Sequence, residues 1–269
     1  MMLSEILASA PVFLLIAGRC GGLIFTLPLF SMRTVSRTAK IALIGYLSYF
    51  LIPYADFSKY TSVIAPDGAF SFYFILYLAG EVMIGIIIGF YVSIIFAAFS
   101  TAAQFFAFQM GFSASAVYDS LSQVENPLLG QFFNFVAILL FLQNRWFQIL
   151  FLKGLSGTLS SMNVFDLIDG KEKMMTFLLH GLTNLFADAL IIALPIMGTL
   201  VLITICTGLL SKAAPQMNLL SEGFPVMILL SFLFLIWIFP LLCDFFLRSF
   251  NTGLSELLNV LTGFTRKGS

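Results

Sequence analysis

The chain has 269 residues, of which 60% are hydrophobic and only 10% charged, with a mean hydropathy of +1.03. Soluble domains carry about 25% charged residues, so this composition excludes an ordinary water-soluble globule and points to a membrane protein or part of a buried assembly. The 13 basic and 13 acidic residues cancel, and no basic stripe suggests nucleic acid.

Glu5 is the first charge, and Arg19 lies inside the first apolar run. That pattern argues against a cleaved signal peptide, so this segment is expected to stay in the mature protein. The apolar runs cover residues 11–30, 41–53, 70–99, 128–152, 185–210 and 224–247. A span needs about 20 residues, and four or five of these runs are long enough. The run 41–53 is short and ends at Pro53, which predicts a tilted, broken or partly inserted element. The run 70–99 is longer than one span needs, and 174–182 joins 185–210 into one stretch that Pro195 is expected to kink. The reading is all-α: a polytopic hydrophobic protein of about six irregular or kinked helices.

The connections differ in character. Residues 31–40 are basic, with Arg33, Arg37 and Lys40. Residues 54–68 are polar and turn-rich. Residues 101–126 contain Gln104, Gln109, Gly111, Asp119 and Glu125 but no Lys or Arg. Residues 155–173 read as a small polar loop holding Asp166, Asp169, Lys171, Glu172 and Lys173. The most informative connection holds Pro215, Gln216, Asn218, Gly223 and Pro225, between the last two long apolar runs. Proline removes a backbone donor, and freed backbone groups need partners. Such a segment must lie against protein or water, which marks it as a site. Counting Lys and Arg by loop gives no consistent orientation. The chain is therefore not an ordinary serpentine bundle, or one run does not span.

Few residues carry chemistry. Arg19, Glu81, Asp188 and Asp244 sit in apolar sequence, where ionisable groups are costly and face protein or water. They read as structural pairs, helix-end charges or a relay; Arg19 and Glu81 are a candidate pair. Gly85 and Gly89 form a G-x-x-x-G, a spacing that lets helices approach closely. Gln109, Met110, Gly111, Phe112 and Ser113 follow an apolar helix directly, either as a cavity-lining turn or as an ordinary connection. Cys20, Cys206 and Cys243 are isolated in apolar sequence and read as buried thiols. His180 stands alone. No metal site, cofactor motif or catalytic constellation is found, so the chain does not read as an enzyme.

These residues resemble the FliR/SctT family of export-gate subunits from flagella and related type III secretion systems. The match runs through Arg19, Pro28-Leu29-Phe30, Lys40, Gly85 and Gly89, then Gln109-Met110-Gly111-Phe112-Ser113. It continues through Leu194-Pro195, Gly208-Leu209-Leu210, Ala214-Pro215-Gln216-Met217-Asn218 and Gly223-Phe224-Pro225. The chain departs from the pattern at Ala103-Gln104, where the family has Gly-Glu, at Ser120, where it has proline, and at Val35-Ser36, which lacks a proline.

The resemblance implies a single export-gate domain, with residues 1–190 similar to FliP-like helices and 191–269 to a FliQ-like hairpin. It implies one copy of the chain in a cone with five FliP-like and four FliQ-like subunits, joined by FlhB-like and FlhA-like proteins. That cone belongs to the flagellar basal body in the bacterial inner membrane, in contact with lipid, with unfolded flagellar proteins as transient substrates. The segment Gln109, Met110, Gly111, Phe112, Ser113 and on to Asp119 is then the pore plug. Pro195, Pro215, Gln216, Asn218, Gly223 and Pro225 are the helix-break motif. Three alternatives stand beside this reading. They are the equivalent subunit of a virulence-type injectisome, a small-solute transporter using Arg19, Glu81 and Asp188 as a relay, and a purely structural core without a gating role.

Overall fold

A computed structural model of the chain describes residues 2–31, 35–55, 72–110, 128–162, 164–213 and 224–263. Every regular element among them is helical, and no strand occurs there. In chain order they are α1 (Met2–Thr26), α2 (Pro28–Ser31), α3 (Arg37–Leu51) with a 3₁₀ turn (Ile52–Tyr54), and α4 (Phe72–Gln109). Then come α5 (Leu128–Gln143), α6 (Trp146–Ile149), a π-helical stretch (Leu150–Leu155), α7 (Ser156–Ser161) and α8 (Val164–Asp169). The last two are α9 (Lys171–Ala213) and α10 (Phe224–Gly263).

Among the described residues, three helical stretches are long and apolar enough to cross a membrane: Phe72–Ala107, Lys171–Leu209 and Pro225–Leu261. A further apolar stretch, Leu129–Gln143 with Trp146–Ser160, is a broken pair. The chain is thus an all-α polytopic protein. At α3, the Ser36 side chain accepts the Ala39 amide at 3.2 Å, which satisfies an orphan donor of the first turn. The helix then ends at a 3₁₀ turn containing Pro53, as the short run with a terminal proline suggests.

The structure corrects several expected boundaries. Helix α4 does not stop near residue 100 but continues to Gln109. Its last turns bury Ala102, Ala103, Phe106 and Ala107, and this helical spacing outweighs the scattered polar residues. The expected polar loop at 155–173 is largely helical. The Gly170 amide donates to Asp166 O at 3.0 Å and the Met174 amide to Gly170 O at 3.0 Å, so α8 leads into α9 through one turn. The run 128–152 is broken at residues 144–145, where Arg145 takes a left-handed conformation with φ 56°. Of the three cysteines expected to be buried, Cys20 is buried, Cys206 is exposed and Cys243 is half-buried, because an apolar helix in a single chain turns only part of its surface to the core.

The chain divides into two units. Unit 1 holds Met1–Ile94, Phe141–Gly181 and Thr252–Ser269; unit 2 holds Ile95–Leu140 and Leu182–Asn251. In unit 1, α1 buries Leu15, Ile16, Cys20, Leu23 and Ile24. Tyr91 of α4 is stacked on Phe177 of α9 at 4.3 Å between centroids, and its hydroxyl donates to Glu256 of α10 at 3.2 Å. Unit 2 is a phenylalanine core. Phe96, Phe99, Phe106, Phe133, Phe246 and Phe250 are buried, with neighbouring ring centroids 5.0–6.0 Å apart. Each such ring pair adds about 0.5–1.5 kcal/mol beyond area burial.

Candidate functional site

The one buried ion pair among the described residues joins Arg19 of α1 to Glu81 of α4, each only 1% exposed. Arg19 Nε donates to Glu81 Oε2 at 2.6 Å, and Nη2 donates to the Met162 carbonyl at 2.9 Å. Arg19 Nη1 has no hydrogen-bond partner among the described residues. A charge withdrawn this far from water persists only when paired. The guanidinium therefore ties three segments of unit 1 together: α1, α4 and the end of α7.

The same two helices meet along a glycine seam. A Cβ on Gly85 would run into the Arg19 carbonyl, one on Gly89 into Thr26 Oγ1, and one on Gly22 into the Val82 carbonyl. Ser93 Oγ donates across the seam to Thr26 O at 2.7 Å. Backbone contact of this kind needs hydrogen at Cα. It also brings the helices close enough for the short side chain of Glu81 to reach Arg19. Sequence reasoning named Gly85 and Gly89 but missed Gly18, Gly22, Ser93 and the Met162 carbonyl. The signal for the α1 side was present, since Gly18 and Gly22 share the same four-residue spacing.

Asp188 does not join this site. It is half-buried on α9 in unit 2 and accepts Ser249 Oγ of α10 at 2.6 Å. Asp244 is exposed. Gln109 is half-buried as the last residue of α4, and Met110 is buried in the turn that follows, its amide donating to Phe106 O at 2.9 Å. Gly111, Phe112, Ser113 and Asp119 lie outside the described residues, as do Pro215, Gln216, Asn218 and Gly223. Pro195 sits inside the continuous helix α9, where Thr199 Oγ1 donates to its carbonyl at 2.8 Å. Pro225 falls in the first turn of α10, where a missing N–H costs little. No group of three or more His, Cys, Asp or Glu suited to a metal ion occurs among the described residues.

Residues 10–253 match the family model described as bacterial export proteins, family 1. The chain belongs to this family. Its relatives include the flagellar biosynthetic protein FliR of Borreliella burgdorferi, 31% identical over 83% of this chain and 84% of that one. FliR of Escherichia coli is 29% identical over 89% of this chain and 87% of that one. The surface presentation of antigens protein SpaR of Shigella flexneri is 27% identical over 88% of this chain and 90% of that one. The FliR/SctT assignment thus covers both units and every long helix, and it makes the chain a component of an export apparatus embedded in the membrane.

Proposed function

We propose that this chain is the FliR-type subunit of a flagellar type III protein export gate, and that it helps to form and to close the pore through which unfolded flagellar proteins pass. The observation that carries the reading is the family match across residues 10–253. The SpaR relative favours a second reading, the equivalent subunit of an injectisome.

The finer proposal follows the family. The chain joins FliP-like and FliQ-like subunits, one copy with five and four, with FlhB-like and FlhA-like proteins at the base, in the bacterial inner membrane at the flagellar basal body. Residues 1–190 act as the FliP-like part and 191–269 as the FliQ-like hairpin. Wide apolar faces support a life among partners. On α9 and α10, Leu194, Leu202, Leu209, Leu233, Ile236 and Trp237 are all exposed in the single chain, and apolar faces this wide need a cover, which this proposal assigns to partner subunits.

The closing element is the segment from Gln109, Met110, Gly111, Phe112 and Ser113 to Asp119. A buried methionine at its start supports this role. Thioether and phenyl groups seal without strong directional bonds and re-form after a chain passes. The chain itself performs no chemistry in this proposal. Arg19–Glu81, Gly85 and Gly89 serve as the frame, Asp188 bonds α9 to α10, and the Pro215, Gln216, Asn218, Gly223 segment separates those helices.

The test is complementation of a strain lacking the gene. Restored flagellar export, with copurification of FliP-like and FliQ-like proteins, supports the flagellar reading. Restored secretion only in an injectisome-deficient strain supports the second. A monodisperse chain that copurifies with neither and moves a small solute contradicts both.

A further inference from the structure

Helix α3 begins against its own dipole. The N-terminal turn of a helix carries about half a positive elementary charge and favours Asp or Glu. The first turn of α3 holds no acidic residue. It carries Arg37 and Lys40 instead, three positions apart and so neighbours on one face. Residues 31–55 contain no Asp or Glu at all. Arg37 is exposed. Lys40 is only 9% exposed and lies against the end of α1, with its Nζ 5.8 Å from the centroid of the Phe25 ring.

A lysine withdrawn from water is costly unless a counter-charge stands beside it. Among the described residues the Lys40 ammonium meets no carboxylate and no hydrogen-bond acceptor. The aromatic ring beneath it offsets only part of the lost hydration. Arg19 Nη1, the other unpaired donor of a buried cation, is sealed from solvent, whereas Lys40 Nζ is not. The surroundings of that tip are apolar and open: Phe25 is 53% exposed and Ile41, the next residue of α3, 64%. The site is a cation with a covered stem, an accessible tip and an apolar rim, in positive potential that its own element leaves uncompensated.

We propose that Lys40, with Arg37 at its edge, is a docking point for an Asp or Glu side chain of a neighbouring protein, whose carboxylate seats on the Lys40 ammonium when the chain assembles. The surroundings favour a protein carboxylate over a free anion or a lipid headgroup. A strongly hydrated anion is best held by exposed charges. A lysine already stripped of water by its own chain, with apolar side chains around it, suits a carboxylate that arrives on an apolar protein surface and loses its water there. Arg37 stays in water, where it steers the approach and holds little. The inference needs only a stable protein neighbour, and it does not depend on what the assembled apparatus exports.

The test places the photoreactive residue p-benzoylphenylalanine at Ile41 of the full chain in its native host, followed by irradiation of membranes and mass spectrometry. The expected adduct is to a protein neighbour, at a segment that holds an Asp or Glu. Lys40→Met keeps the stem and removes the charge. It should cut copurification of that neighbour by about 30-fold, as truncating one side of a buried charge pair does. Changing the mapped acid to its amide should cut it by a similar factor while leaving this chain untouched, so misfolding of the Lys40 variant cannot imitate the result. The two changes together should cost no more than the worse of them alone. Arg37→Gln should cost only about two- to fivefold, and only at low salt. A phospholipid adduct, an adduct within the chain itself or no adduct at Ile41 would overturn the proposal. So would losses from the lysine and acid variants that multiply when combined.

Discussion

Removing one member of the Arg19–Glu81 pair leaves the other charge buried without compensation, at a cost of about 3–5 kcal/mol. Glu81→Leu is therefore expected to lower the abundance of assembled protein sharply. The double variant Arg19→Leu, Glu81→Leu should recover much of that loss, because two apolar side chains of similar reach remove the desolvation cost altogether. Thermal unfolding of the purified complex reads both; a double variant worse than Glu81→Leu alone would contradict the pairing. The glycines give a second contrast. Gly85→Ala forces a methyl group into the Arg19 carbonyl and should destabilise by about 1–3 kcal/mol. Gly157→Ala meets nothing within 4 Å and should be neutral or stabilise by roughly 0.5–1 kcal/mol, as helical propensity dictates. Equal behaviour of the two would refute the seam. Charged residues in apolar sequence could be picked out and Arg19 with Glu81 named as a candidate pair, but across a separation of 62 residues the sequence could not place the two side by side. Periodicity describes one helix at a time and says nothing of which helices meet.

At the scale of elements, the apolar runs located the long helices because a membrane-length run has few alternatives to helix. Their ends were harder to place. The helix α4 runs past Thr101 on buried alanines and Phe106, residues whose polarity is too small to mark continuation or arrest. The break at residues 144–145 has neither Gly nor Pro; its one signal is the polar triplet Gln143-Asn144-Arg145 within an apolar run. Because Arg145 holds φ 56°, Arg145→Gly is expected to stabilise the chain by about 1 kcal/mol, and Arg145→Val to destabilise it by more. Proteolytic resistance of the complex orders the three proteins, and a valine variant as resistant as glycine would exclude a strained turn. Between α9 and α10, Pro215→Leu should favour a more continuous helix and impair assembly of the complex rather than only slow export. Normal assembly at normal abundance would remove the break motif from the account.

At the scale of the whole molecule, exposed apolar faces on α9 and α10 predict that the chain made alone is degraded or aggregates, and persists only with its partner subunits. A folded, monodisperse monomer in detergent would count against an obligate assembly. The failure of charge counting to orient the loops agrees with that view, since helices covered by neighbouring subunits need not obey a rule set by lipid. The central claim is that this subunit helps to close an export pore through the segment that begins at Gln109 and Met110. The most direct measurement is the ionic conductance of the assembled complex in planar bilayers, with and without residues 113–118. The account predicts that the deleted complex still assembles and conducts more than the intact one at rest. An assembled deletion complex that conducts no more than the intact one would contradict the closing role and leave the segment as a connection between helices.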